Sequence, residues 1–138
     1  AKYMMKDLAD WARSYGLEIL FPPSVFPVNS VKSLRGALVA LEHGKFREYS
    51  DEVFRRYWSD DRDISQDDVL AAIARDVGLD AKEYFEKIAS PPYKDRIRAN
   101  TEECVARGGF GSPTMFVGDS MFFGNDRIVL VEEELKRL

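Results

Sequence analysis

Cysteine and histidine are almost missing from this chain: one of each stands among 138 residues. The single Cys104 excludes an internal disulfide and any Cys-x-x-Cys redox centre, and it points to a reducing, cytoplasmic setting. The single His43 falls at a predicted helix end, where a cation is favoured, with no catalytic partner evident beside it. No apolar run approaches the roughly 20 residues of a membrane helix. No charged, apolar and cleavage pattern of a secretory leader opens the chain. Basic residues are not in excess either. The 20 lysines and arginines are outnumbered by 24 aspartates and glutamates, and the net charge of -4 argues against a general nucleic-acid binder. There is no internal repeat, low-complexity tract or interdomain linker. What remains is one domain, 1–138, with no metal, membrane or nucleic-acid partner expected.

What is present is mostly helical pattern. Lys2 to Tyr15 carries Leu8, Trp11, Ala12 and Tyr15 at helical spacing and stops at Gly16. The chain opens directly in this pattern, which creates the expectation that a further segment precedes it. Leu17 to Phe21 is a short strand or an extended connection, ended by Pro22-Pro23. Asn29 or Ser30 caps a helix with Val31, Leu34, Leu38 and Leu41 on one face. Phe46 to Trp58 follows, with Phe46, Tyr49, Val53 and Tyr57 on a stripe read as core. Asp60, Asp61 and Asp63 lack the glycine and distal glutamate of a calcium loop, so they read as a solvated loop. Ser65 is expected to cap the next helix and Asp80 the one after, which buries Tyr84, Phe85 and Ile88. Pro91-Pro92 is expected to break that helix. Tyr93 to Arg107 is then a helix with Ile97, Thr101, Cys104 and Val105 inward, Cys104 being a buried structural thiol.

The most informative stretch is 109–127. Thr114 to Val117 and Met121 to Phe123 are short apolar, β-branched and aromatic runs around Gly118-Asp119-Ser120, the pattern of a hairpin. Asn125 or Asp126 can cap a last helix in which Ile128, Val131, Leu135 and Leu138 share a face. Pro113 either starts the first strand or leaves the backbone groups of Ser112 uncommitted and able to pair with an extended ligand. Of Phe122 and Phe123, which alternate across the strand, one belongs to the core and the other to a pocket wall.

Phe110-Gly111-Ser112-Pro113-Thr114-Met115-Phe116-Val117-Gly118, with Phe122-Phe123-Gly124-Asn125-Asp126-Arg127, resembles the 2-hydroxychromene-2-carboxylate isomerases and the kappa-class glutathione transferases. The resemblance covers nearly the whole chain. It implies an α/β, thioredoxin-like (DsbA-like) fold with a large helical insertion at 1–108, and the C-terminal β-β-α part of the fold at 109–138. It implies that Pro113 is cis and that glutathione is the cofactor. Ser112, Phe123, Gly124, Asn125 and Asp126 are then the glutathione-binding residues, and Asn29 is a substrate-facing candidate whose simpler role is capping. Asp126 would accept from the glutamyl ammonium, while Asn125 and the backbone donate to its carboxylate.

The strand–helix–strand unit that opens a thioredoxin fold, with its catalytic serine, finds no match here. The chain is therefore expected to be a C-terminal fragment or to receive that half separately, as a homodimer or by pairing with another chain. The function implied is a glutathione-dependent isomerase acting on a small aromatic-derived substrate. The alternatives are a kappa-class-like transferase, a DsbA-like thiol oxidoreductase relative, and a non-catalytic interaction domain.

Overall fold

Turn and cap chemistry sets most element boundaries of the computed structural model, which describes residues 1–138. The helices are α1 (Lys2–Tyr15), α2 (Val31–Glu42), α3 (Phe46–Trp58), α4 (Asp67–Asp76), α5 (Ala81–Ile88) and α6 (Pro91–Ala106). Strands β1 (Thr114–Val117) and β2 (Ser120–Phe123), a 3-10 turn at Asn125–Arg127 and α7 (Ile128–Lys136) follow. The chain forms two compact units, Ala1–Lys94 and Asp95–Leu138, dividing inside α6.

In the first unit, Gly16 closes α1 in the left-handed conformation, and the Asp80 carboxylate accepts from the Glu83 N–H at 2.8 Å to cap α5. Leu17 to Phe21 forms no strand; it is an extended connection held by Leu20 N–H donating to Trp58 C=O at 2.8 Å. The cap before α4 is not Ser65. The helix starts at Asp67, and Ser65 instead donates its N–H and hydroxyl to Asp63, an upstream turn that competes with capping. Helix α5 ends at Ile88, ahead of Ser90-Pro91-Pro92 as expected, and α6 begins at Pro91 rather than Tyr93, because first-turn prolines lack only N–H groups that a helix start leaves unbonded.

The core of this unit is Val39, Ala40, Tyr49, Tyr57, Leu70, Ile73, Ala74, Tyr84 and their neighbours, drawn from α2 to α5. The face of α2 that enters it differs from the expected one. Ser33, Gly36, Val39 and Ala40 are buried, whereas Val31, Leu34 and Leu41 are exposed. Small residues win this face because two aromatic rings need the space. Tyr49 donates to Ser33 C=O at 2.9 Å and meets the Tyr84 hydroxyl at 2.8 Å, directly against Gly36.

Burial pushes the Tyr84 hydroxyl up to about 12, and it pushes Tyr49 further in the same direction. The unfolded chain ionises these groups more easily. Their stabilising contribution is therefore whole below pH 10, the ordinary value, and is lost as pH rises through the folded value near 12. Tyr49 and Tyr84 should titrate only as helical signal disappears. Tyrosinate absorbance and circular dichroism recorded together over alkaline pH test this. Complete tyrosine ionisation before any loss of helix would refute it.

His43 ends α2 in an ion-pair cluster, 3.0 Å from Glu83, whose carboxylate also takes Lys87 at 2.7 Å. Lys87, then His43, holds the Glu83 carboxyl below its usual range. Asp61 accepts from Ser24 and Asp60 from Arg55, and no group of three metal-ligating side chains is assembled.

In the second unit, β1 and β2 pair antiparallel with Val117 opposite Ser120, leaving Gly118-Asp119 as a two-residue turn. Gly118 has φ +58, the positive angle such hairpin turns need at the first central position. Arg107 clamps the turn. It donates to Gly118 C=O at 2.7 Å and lies 4.0 Å from the Phe116 ring centre. No residue of α6 is fully buried: Thr101 and Val105 are exposed and Cys104 is half-buried, not the buried thiol expected. Helix α7 also shows its apolar side, with Ile128 and Leu135 exposed and Val131 half-buried, and Leu138 beyond its end is exposed too.

Candidate functional site

The second unit brings five of the sequence-chosen residues to one end of the hairpin. Gly124 N–H donates to Pro113 C=O at 2.9 Å, which closes the ladder and places Ser112-Pro113 across from Phe123-Gly124. The Ser112–Pro113 peptide is cis, as are Phe21–Pro22 and Phe26–Pro27. Ser112 is exposed, and its N–H and C=O take no hydrogen bond from the chain. Thr114 Oγ1 donates to Gly111 C=O at 2.5 Å and so fixes the approach to it.

Phe123 is the outward member of its pair. It is 40% exposed and sits 4.7 Å from the Phe110 ring, while Phe122 is half-buried. A Cβ on Gly111 would stand 2.9 Å from Phe123, so glycine at 111 lets this ring lie flat over the backbone. Gly124 has φ +104, and a Cβ there would meet an Asp126 carboxylate oxygen at 2.7 Å.

Capping does not account for Asp126. The 3-10 turn delays α7, whose N-cap position is Arg127 with no side-chain cap bond. The Asp126 carboxylate instead turns back toward Gly124 and accepts from Arg127 at 2.6 Å, with about half of the side chain exposed. The end of the hairpin thus presents backbone donors and acceptors, an aromatic wall and an accessible carboxylate to solvent.

Asn29 lies in the first unit. Its carboxamide oxygen accepts from Val31 N–H at 3.1 Å, an Asx turn just ahead of α2, whose N-cap position is Ser30. Sequence reasoning passed over Arg35. It is half-buried, its Nε takes no hydrogen bond, and no carboxylate pairs with it. The only signal in the sequence was an arginine bordering an apolar stripe.

The DSBA-like thioredoxin domain model matches residues 1–136. The 2-hydroxychromene-2-carboxylate isomerase of Sphingobium xenophagum is 34% identical over 134 residues, covering 97% of this chain and 67% of that protein. Its namesake from Pseudomonas putida is 29% identical over 136 residues, covering 99% and 66%. Human glutathione S-transferase kappa 1 is 32% identical over 142 residues, covering 94% and 63%. A solved structure of 2-hydroxychromene-2-carboxylate isomerase matches with a TM-score of 0.87 at 28% identity, over 99% of this chain and 66% of that one. The chain therefore spans about two thirds of the length of these relatives, with the DsbA-like arrangement of helical region, hairpin and last helix. It belongs to the DSBA-like thioredoxin domain family, and its relatives there include 2-hydroxychromene-2-carboxylate isomerases and kappa-class glutathione transferases.

Proposed function

We propose that this chain provides one half of a glutathione site and serves a glutathione-dependent isomerase acting on a small aromatic-derived substrate. The observation that carries this reading is the exposed Ser112 backbone, without partners in the chain, beside an Asp126 carboxylate that is not a helix cap. Glutathione fits these groups. It is an extended peptide with a carboxylate at each end and an ammonium on its glutamyl end. Ser112 N–H and C=O pair with its cysteinyl backbone as an added strand. Asp126 accepts from the glutamyl ammonium, and Asn125 and the Gly124 backbone receive the adjoining carboxylate near the positive end of α7. Phe123 covers the peptide and limits water at the sulfur.

Bound glutathione supplies a thiolate nucleophile, which adds to an electrophilic carbon and later leaves. The residues named here bind and orient it, and none of them activates the thiol. That task belongs to the serine of the family pattern, which has no counterpart in this sequence. A strand–helix–strand half carried by another segment or chain would supply it, and the lone cysteine supports a reducing cytoplasmic setting for the assembly. A kappa-class-like transferase is the second reading, favoured by the similarity to the human enzyme, and it uses the same half site.

Calorimetric titration with reduced glutathione tests this. Saturable binding is expected, weakened about tenfold or more by Asp126→Ala, since one charge-assisted hydrogen bond is at stake. Absence of binding at millimolar ligand, or equal affinity in the variant, would reject the site.

A further inference from the structure

The turn from Gly124 to Arg127 brings an acid and a base together. Arg127 N–H donates to Gly124 C=O at 3.2 Å and closes the turn. Gly124, at φ +104, carries no Cβ, and the Asp126 carboxylate folds back over the space that a Cβ would take. There it accepts from the Arg127 guanidinium at 2.6 Å. Both side chains are about half exposed.

This ion pair is easily displaced. Exposed pairs of this kind contribute little, because water screens them. Arg127 also stands at the N-cap position of α7, the end of a helix that disfavours a cation. No other acid of α7 serves it. Three and four residues on are Leu130 and Val131, while Glu132 and Glu134 hold Lys136 and Arg137 at the end where the dipole favours bases. The guanidinium therefore stays on Asp126 for want of a better partner. A ligand that brings an ammonium for Asp126 and a carboxylate for the N-terminus of α7 outcompetes it. The glutamyl end of glutathione carries both charges on one carbon.

We infer that Arg127 is a placeholder for the ligand's ammonium: its guanidinium holds the Asp126 carboxylate until the glutamyl ammonium of glutathione displaces it. The inference rests on the glutathione reading and adds a specificity-determining residue to it. Arg127 acts in two directions. It lowers affinity for glutathione, because its own bond to Asp126 must first break. It also softens the rejection of ligands without an ammonium, because Asp126 stays neutralised when they bind. Without Arg127, such a ligand would set its carboxylate beside a bare Asp126, and like charges would repel.

The test is calorimetric titration with two ligands, reduced glutathione and the analogue in which a glutaryl group replaces the glutamyl residue and so removes the ammonium. The parent, Arg127→Gln, Arg127→Lys and Asp126→Ala are compared. Arg127→Gln should bind glutathione about two- to threefold more tightly and the analogue about fivefold more weakly, so that the preference for glutathione rises about tenfold or more. Arg127→Lys should keep the parental preference, and Asp126→Ala should bind the two ligands alike. Weaker glutathione binding by Arg127→Gln would make Arg127 a direct contact of the ligand and overturn the inference. An unchanged preference in Arg127→Gln, with glutathione binding still lost in Asp126→Ala, would make Arg127 a bystander and overturn this inference alone. If the parent fails to bind glutathione, or Asp126→Ala binds it as tightly as the parent, the half-site reading has failed and the placeholder falls with it.

Discussion

Gly36→Ala is expected to cost the first unit about 3 kcal/mol or more. The usual effect of this change in a helix is the reverse, because alanine is favoured over glycine by about 1 kcal/mol. Packing decides the sign here. A Cβ at position 36 would stand 2.3 Å from both the Tyr49 and Tyr84 hydroxyls and 2.5 Å from Tyr84 Cε2. Both tyrosines are fully buried, and their hydroxyls are joined to each other and to Ser33. Neither ring can retreat without breaking those bonds or opening the contacts among α2, α3 and α5. For a unit of this size the loss corresponds to a fall of roughly 15 °C in Tm. Thermal unfolding followed by circular dichroism measures it. A Tm at or above that of the parent would show that the tyrosines yield freely.

Tyr84→Ala should be as severe by the opposite route. Removing this ring leaves a cavity in the centre of the unit and deprives the Tyr49 hydroxyl of one partner, at a cost of about 3–5 kcal/mol. The two changes should not add. Without the Tyr84 ring, much of the clash at position 36 is gone, and the combined Gly36→Ala/Tyr84→Ala protein should be at least about 1 kcal/mol more stable than the sum predicts. Urea unfolding of the parent, both single variants and the double variant supplies this cycle. Simple additivity would mean that the glycine and the tyrosine are not in the contact described. Both predictions concern stability alone, so they leave the proposed site in the second unit untouched.

The candidate site rests on different supports. Its residues stand on a small hairpin and one turn of 3-10 helix, not on the helical core. Arg107, braced on Phe116 and on the Gly118 carbonyl, holds the hairpin turn, and the Gly124–Pro113 bond holds the open end. The site is thus set by a few local bonds, and ligand binding there can be probed by variants that leave the first unit untouched.

Much of this was legible in the sequence, because local chemistry decided it. Gly16 and Gly78 stop helices by taking positive φ, Asp80 caps α5 through its own carboxylate, and Gly118-Asp119 turns the hairpin. The string from Phe110 to Arg127 carried the family resemblance, since it combines a proline, two short strands and a Gly-Asn-Asp-Arg turn within a few residues. Two matters were decided only by the tertiary structure. The first is which side of α2 is core. Periodicity marks an apolar stripe but cannot say whether leucines or the shape left by Ser33, Gly36 and Ala40 will receive two tyrosines that lie far away in sequence. The second is the role of Asp126. A capping residue is recognised by its distance from the first helical turn, and the 3-10 turn shifts that start to Ile128 and frees the carboxylate for another task. In both cases the sequence specified the residue types; the packing of segments distant in sequence chose the buried side of α2, and the 3-10 turn set the place of Asp126.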